Sequence, residues 1–392
     1  MYPRRLYPSL KEHLGKKQVT VITGMRRTGK TTLLKQLLSD ASGNNKIYID
    51  LERIDNREMF LEKNYDAIIY NLRQRGLDIK HKAFVGLDEI QLVSNLPSVL
   101  KYLYDNYDIK FIVTGSSSYY IKDLFTESLA GRKKVFELYP LDFGEFLVFK
   151  ETPAINGEYF LKKQFNDPEY ERLKEYYKDY IEYGGFPEVA LSTSIQEKKD
   201  LLADIISSYI NIDVKTLADF RNQENFYKLM KMLAARSATR IDYAKLSRLT
   251  GISRMTVHSY VDFLEKTYII CRISVLANNP DREIVKAQKL YFCDNGIMNV
   301  LAETAAGVKF ENSIFTQLHH TGKLCYYALK TGREVDFILD KTVALEVKES
   351  PTELDRENLK ELSLRAGLKR YYLIGRYPVP NFTDYIWGGE IR

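Results

Sequence analysis

Three groups of residues in this chain have the types and spacing for chemistry on phosphates. The first is Gly24-Met25-Arg26-Arg27-Thr28-Gly29-Lys30-Thr31, which fits the spacing G-x-x-x-x-G-K-[ST]. Its glycines let backbone N–H groups curl around phosphate oxygens, Lys30 reaches the β- and γ-phosphates, and the Thr31 hydroxyl suits magnesium. The second is Phe84-Val85-Gly86-Leu87-Asp88-Glu89, an apolar run ending in two carboxylates. There Asp88 would hold the magnesium through water and Glu89 would polarise the attacking water, acting with Lys30 as the catalytic set. Thr114-Gly115-Ser116-Ser117 adds small hydroxyls that suit a γ-phosphate sensor, with a plain turn as the alternative. These residues predict ATP and Mg2+ as cofactors. Gly24, Arg27, Thr28, Gly29, Lys30, Thr31, Thr32, Asp88 and Ser116 form the expected binding set, with Thr31 and Asp88 on the metal.

The third group is Asp336, Glu346 and Lys348, whose D…E-x-K spacing resembles that of PD-(D/E)XK nucleases, a resemblance that implies Glu311 as the acidic residue of the first helix. Glu346 and Lys348, two apart on a strand, project to one face. A hairpin centred near Lys341 sets Asp336 opposite Glu346, with Cβ atoms about 5 Å apart. Two carboxylates that close repel unless a divalent cation joins them, and Lys348 beside them could steady a pentacovalent phosphate. The competing reading is a surface salt-bridge set without activity.

The elements that must position these groups follow from the hydrophobic pattern. From Gln18 to about Phe143 short apolar runs alternate with helical stretches. Val19 to Thr23, Ile47 to Ile49, Phe84 to Leu87 and Phe111 to Thr114 read as buried strands, and Met59 to Arg75 and Leu96 to Tyr107 as helices. Such alternation predicts a parallel sheet covered on both faces. A helical stretch follows to about Phe220, punctuated by Gly184-Gly185-Phe186-Pro187. The tail reads helix, three strands, helix, strand.

Between them, Tyr243 to Thr250 and Arg254 to Lys266 read as two helices joined by the turn Gly251-Ile252-Ser253, with Ser253 as N-cap of the second. The strand Tyr268 to Ile273 and the turn Asn278 to Asp281 would make a wing. Arg254, His258 and Ser259 then point outwards, where a recognition helix touches base edges. Asp262 and Glu265 dilute the positive face, so a protein-docking role stays open beside DNA contact. Gly131-Arg132-Lys133-Lys134 offers Arg132 as a residue acting on a γ-phosphate in a neighbouring subunit, against a solvated charge run.

Taken as a set, these segments resemble one branch of the AAA+ superfamily. The resemblance rests on Ile22 to Leu34, Leu87-Asp88-Glu89-Ile90-Gln91, Thr114 to Ser117, Leu129-Ala130-Gly131-Arg132, Tyr139 to Phe143 and Tyr183 to Glu188. The branch is the prokaryotic AAA-type ATPases with a winged-helix segment and a PD-(D/E)XK nuclease-like C-terminal domain of uncertain function. The resemblance spans nearly the whole chain and implies an ATPase core, while leaving the biological substrate open. The absence of an Asn-Lys-x-Asp motif and of a second RecA-like lobe sets aside GTPases and two-lobed helicases.

Composition agrees with such a protein. The chain has 392 residues, is 45% hydrophobic and 28% charged, and carries a net charge of +6, a mild lean towards polyanions. No apolar stretch is long enough for a transmembrane helix and no secretory h-region follows the N-terminus, so a cytoplasmic protein is expected. Cys271, Cys293 and Cys325 are widely spaced, which argues against a zinc site or a disulfide framework. The expected architecture is α/β: a P-loop ATPase core (1–143), a helical extension (144–221), a winged helix-turn-helix (222–288) and a nuclease-like tail (289–392). Expected partners are ATP, DNA and further copies of the chain, with no membrane. DNA handling is one functional reading, and a nucleotide-gated switch for protein partners is the other.

Overall fold

The computed structural model describes residues 2–62, 64–116, 129–153, 165–215, 223–277, 286–378 and 382–391. Ser117 and the wing turn Asn278 to Asp281 lie outside the described residues. The chain forms two compact units, the first made of Met1–Tyr139, Asn211–Asp219 and Lys266–Tyr268, the second of Pro140–Ile210, Phe220–Glu265 and Ile269–Arg392.

In the first unit, β1 (Val19–Thr23), β2 (Lys46–Asp50), β3 (Ala83–Asp88), β4 (Ile109–Gly115) and β5 (Lys133–Glu137) form one sheet. The order is β2-β3-β4-β1-β5 and every pair is parallel. Successive side chains of a strand point to opposite faces, and the core divides accordingly. Val19, Val21, Val85, Leu87, Phe111 and Val113 join one cluster with the helices Ile54–Leu61, Tyr65–Gln74 and Leu96–Asn106. Ile22, Phe84 and Ile112 join the other, under the helices Tyr7–His13 and Lys30–Asp40. The doubly covered parallel sheet is the α/β class that the alternating pattern predicts.

Two details depart from the expectation. The helix predicted over 59–75 is two helices, and Asn64 opens the second by accepting a hydrogen bond from the Asp66 N–H at 3.0 Å. The basic run after Gly131 enters an edge strand: β5 pairs Val19 with Lys133 and Thr23 with Glu137. Its lysines hid it from a hydrophobic-pattern reading, and charged side chains on a sheet edge discourage pairing with another chain.

In the second unit, β8 (Leu324–Ala328), β9 (Glu334–Leu339), β10 (Val343–Lys348), β11 (Arg370–Gly375) and β12 (Tyr385–Trp387) form a mixed sheet in the order β12-β11-β10-β9-β8. The helices Ala306–Leu318 and Glu353–Arg365 stand in the chain where the tail was read as helical. The β9–β10 hairpin pairs Val343 with Leu339 and Leu345 with Phe337. Its turn is closed without glycine by Asp340 and Lys341, both at positive φ. A separate antiparallel pair joins β6 (Ile270–Ile273) to β7 (Lys289–Phe292). The helices Tyr243–Thr250 and Arg254–Lys266 precede it, and Ser253 Oγ accepts the Thr256 N–H at 3.1 Å as the expected cap. No helix among the described residues is long and apolar enough to cross a membrane.

Candidate functional site

The site grows from the C-terminal ends of β1, β3 and β4, where open α/β sheets place their ligands. β1 ends at Thr23, and the loop that follows must turn sharply into the helix Lys30–Asp40. Gly24 makes this possible: at φ +154° it passes so close to Leu138 that a Cβ there would lie 2.0 Å from the Leu138 carbonyl oxygen. The Leu138 N–H donates to the Thr23 carbonyl at 2.7 Å and keeps the two segments together. Thr28 Oγ1 donates to the Met25 carbonyl at 2.8 Å, while Arg4 donates to the Thr28 carbonyl at 2.8 Å and to the Tyr139 carbonyl at 2.8 Å. The loop is therefore held from outside by an arginine far upstream.

The helix begins at Gly29, φ +97°, with no side-chain cap, so its first amides remain available to an anion. Lys30 is buried and donates to the Met25 carbonyl at 2.9 Å. Burial lowers its pKa, and the nearby charges of Glu89, Asp213 and Asp88 work against that. Thr31 is half-buried, whereas Arg27 and Thr32 are exposed. Arg27, at φ 62°, carries the tightest part of the loop.

β3 delivers the two carboxylates. Asp88 is buried, with Oδ1 accepting from the Thr114 hydroxyl of β4 and Oδ2 from the Tyr48 hydroxyl of β2 at 2.9 Å. Glu89 sits at φ 57°, a strained backbone position for a residue with a side chain. Its N–H donates to Thr114 Oγ1 at 3.1 Å, and its Oε2 accepts from Gln91. The Gln91 amide also donates to Ser116 Oγ at 3.0 Å, and Ser116 Oγ donates to Asp213 Oδ1 at 2.9 Å. Arg26 closes the ring by binding both Asp213 oxygens at 3.2 and 3.0 Å, with Glu89 Oε2 4.0 Å away.

Sequence reading missed two members of this network. Arg26 occupies a variable position of the loop motif, and Asp213 lies nearly two hundred residues downstream. Asp213 is 4% exposed and its pKa is raised by burial, against the pull of Arg26. One signal was there: Asp213 is the single charge among Ile205, Ile206, Tyr209, Ile210, Ile212 and Val214, and a lone acid in an apolar run needs a partner.

The residues fit a magnesium nucleotide. Asp88 supplies one oriented carboxylate, Thr31 a hydroxyl, and the phosphates would complete an oxygen shell, which is how magnesium is commonly bound. Lys30, whose one hydrogen-bond acceptor among the described residues is a loop carbonyl, has donors to spare for phosphate oxygens.

Arg132 is not brought to the loop of its own chain. It precedes β5, level with the start of β1, and so stands at the edge of the sheet opposite Gly24. Its guanidinium makes a bidentate pair with Asp105 at 2.9 and 3.2 Å.

In the second unit, Arg254 and Ser259 are exposed on the helix Arg254–Lys266, whereas His258 is half-buried and stacks on Tyr243 with ring centroids 3.5 Å apart. Asp262 pairs with Arg272 at 2.9 Å. Glu311 and Asp336 are drawn together, each 3.2 Å from the Lys289 ammonium. Asp336 Oδ2 accepts the Val347 N–H at 3.0 Å. Glu346 pairs with Lys348 at 2.7 Å. Burial, then the neighbouring Asp336, raise the pKa values of both Glu311 and Glu346.

Two family models match parts of the chain. Residues 16–147 match the family described as AAA domain, and residues 174–307 match one described as a domain of unknown function, DUF8612. An uncharacterized protein of Methanocaldococcus jannaschii is 28% identical over 333 residues, which span 82% of this chain and 72% of the relative. An uncharacterized protein of Haemophilus influenzae is 23% identical over 379 residues, spanning 92% of this chain and 89% of the relative. Among solved structures, the RuvB Holliday junction branch migration motor of Thermotoga maritima has 13% sequence identity and a TM-score of 0.34. That likeness covers 69% of this chain and 90% of that one. AMPPCP-bound DnaA from Aquifex aeolicus has 19% identity and a TM-score of 0.29, covering 66% and 86% of the two chains. The first unit thus joins a parallel sheet, a glycine-rich loop and paired carboxylates, and it holds most of the stretch, residues 16–147, that matches the family described as AAA domain.

Proposed function

We propose that this protein hydrolyses ATP and that its nucleotide state governs engagement of DNA by the second unit. One observation carries the first half: Glu89, Gln91, Ser116, Asp213 and Arg26 are tied by an unbroken set of hydrogen bonds, beside the loop in which Lys30 is anchored on the Met25 carbonyl. Loop amides and Lys30 would hold the phosphates, and Thr31 and Asp88 the magnesium. The metal, when bound, supplies neutralisation of charge between the β- and γ-phosphates. Glu89, held through Gln91, is placed to take a proton from the attacking water. Ser116 and Arg26 share Asp213, so a γ-phosphate that draws either of them away would change the hold on residues 211–215.

DNA contact is supported by the capped helix Arg254–Lys266, whose first turn exposes Arg254, and by the exposed Lys245 and Arg248 of the preceding helix. Arg254→Ala is expected to weaken duplex binding, and wild-type affinity to fall steeply as salt rises, since phosphate contacts release counterions. The deciding measurement is ATPase rate with and without single-stranded, duplex and forked DNA at several salt concentrations. Stimulation that Arg254→Ala removes supports this reading. A rate indifferent to every DNA form would give preference to a protein-docking switch. A specific feature favours that second reading too: Met255 is 82% exposed and Leu249 44% exposed on the same pair of helices.

Arg132 is read as acting on a nucleotide held by a neighbouring copy, because it stands by the start of β1, at the opposite end of that strand from the loop. Mixing Arg132→Ala with Lys30→Ala chains should restore part of the hydrolysis that each lacks, as some interfaces then pair an intact loop with an intact arginine. A mixture no more active than its components removes Arg132 from catalysis and leaves it as the partner of Asp105.

A further inference from the structure

The acidic cluster of the second unit raises a question that the ATPase site does not answer. Glu334 and Asp336 on β9, Glu311 on the helix Ala306–Leu318 and Glu346 on β10 stand where a nuclease with this order of elements would gather carboxylates around a divalent cation. A cation is already there, and it belongs to the chain. Lys289 is 1% exposed, and its Nζ lies 3.2 Å from Glu311 Oε1, 3.1 Å from Glu334 Oε1 and 3.2 Å from Asp336 Oδ1.

The remaining carboxylate oxygens are largely spoken for as well. Asp336 Oδ2 accepts the Val347 N–H, Glu334 Oε2 accepts Arg240 at 2.6 Å, and Glu346 Oε1 accepts Lys348. Tyr291 donates to Glu311 Oε1 at 2.7 Å. Glu346 Oε2 is buried without a hydrogen-bond partner. Glu311 Oε2 likewise has no hydrogen-bond partner among the described residues, and two spare oxygens are far from the shell of about six that magnesium requires. A metal on Asp336 Oδ1 and Glu311 Oε1, at metal–oxygen distances of about 2.1 Å, would need the space that Nζ fills. Two like charges cannot share it.

Nor can the lysine easily retreat. It begins β7, opposite Ile273 of β6, and Arg240 bridges to it through the main chain. The Tyr291 and Tyr326 rings stand 5.9 and 6.0 Å from Nζ. Burial opposes the ammonium charge, but Asp336, Glu311 and Glu334 outweigh it and raise the pKa, so the group stays protonated.

We infer that Lys289 is the built-in counter-ion of this cluster, and that the cluster is a metal-independent joint rather than a nuclease centre. The cations Lys289 and Arg240 both come from the segment that carries the two-helix motif and the β6–β7 pair. The carboxylates come from the five-stranded sheet and its helix. The joint thereby ties the two parts of the second unit together, through the buried Lys289 and Asp336, charges that are costly to separate once paired, and through the more exposed pair of Arg240 with Glu334.

Manganese alone is the probe, titrated onto the full chain carrying Asp88→Asn so that the nucleotide site contributes little, and followed by the electron paramagnetic resonance of free Mn2+. The expected result is no saturable uptake, and a thermal midpoint identical in manganese and in chelator. A second arm removes the charges. Lys289→Met and Asp336→Asn should each lower the midpoint by several degrees, and the double variant should lose less than their sum, because each removes the other's partner. Stoichiometric manganese uptake that Asp336→Asn abolishes, or metal-dependent DNA cleavage with the same dependence, would overturn the inference. So would strict additivity of the two substitutions. Should Lys289→Met fail to fold, the manganese titration decides alone, since it needs only the wild-type cluster and Asp336→Asn.

Discussion

Lys30→Ala is expected to lower ATP turnover by at least about a hundred-fold and to weaken nucleotide binding, whereas Glu89→Gln should bind ATP almost normally and turn over about 10²- to 10⁴-fold more slowly. The difference follows from what each side chain touches. Lys30 is buried at the base of the loop and donates to the Met25 carbonyl; in the proposed role its charge would meet phosphate oxygens in both the ground and transition states. Losing it costs affinity and rate together. Glu89 is held at the side of the site by Gln91 and lies 4.0 Å from Arg26, and its amide variant has nearly the same shape. That substitution removes a proton acceptor and little else. Steady-state phosphate release, together with equilibrium binding of a fluorescent ATP analogue, separates the two effects. If Glu89→Gln keeps full turnover, the acceptor role passes to Asp213, the other carboxylate of the network.

The second large effect belongs to the second unit and to stability. Gly185→Ala is expected to destabilise the protein by about 3 kcal/mol or more, measured as a shift of the second unit's urea or thermal transition. A Cβ at position 185 would stand 2.1 Å from the Leu141 carbonyl oxygen, and that atom is backbone, so it cannot swing aside. The two strips of chain are joined by a 2.7 Å hydrogen bond from the Leu141 N–H to the Gly185 carbonyl. The Gly185 N–H in turn donates at 2.7 Å to Asp294, whose other oxygen caps the helix Asn295–Leu301 through the Ile297 N–H at 3.0 Å. Pushing Gly185 away would strand a buried carboxylate.

Asp294 gives this junction a pH signature. Burial raises its pKa from 3.8 to about 6, and the amides of Gly185, Ile297 and Gly296 only partly oppose the shift. A carboxyl that holds its proton more tightly folded than unfolded stabilises the protein below the unfolded pKa. That contribution fades as pH rises through about 4 to 6. A shift of that size corresponds to about 3 kcal/mol between the two ends of the window. The difference in stability between wild type and Asp294→Asn should therefore change across pH 4 to 6 and stay level above it. A difference that is flat throughout would mean that the carboxyl titrates alike in the folded and the unfolded chain.

Much of the nucleotide site was legible in the chain because it is local. The loop from Gly24 to Thr31, the apolar run into Asp88-Glu89 and the alternation of strands with helices depend on neighbours in sequence, and the sheet formed from them as parallel and doubly covered. The β9–β10 register was also readable, since a short hairpin leaves few ways to pair. What only the tertiary structure decided were the contacts between distant segments. No spacing rule connects Arg26 to Asp213 or Arg4 to Thr28, and β5 was hidden by the lysines that suit it to an edge. The same limit applies to Glu311, Asp336 and Glu346. Their types and spacing marked an acidic cluster, but which cation neutralises it depended on Lys289, delivered from a hairpin outside the motif. Local sequence sets which groups face one another within an element and its hairpin. Where a buried charge finds its partner is set by how the elements pack.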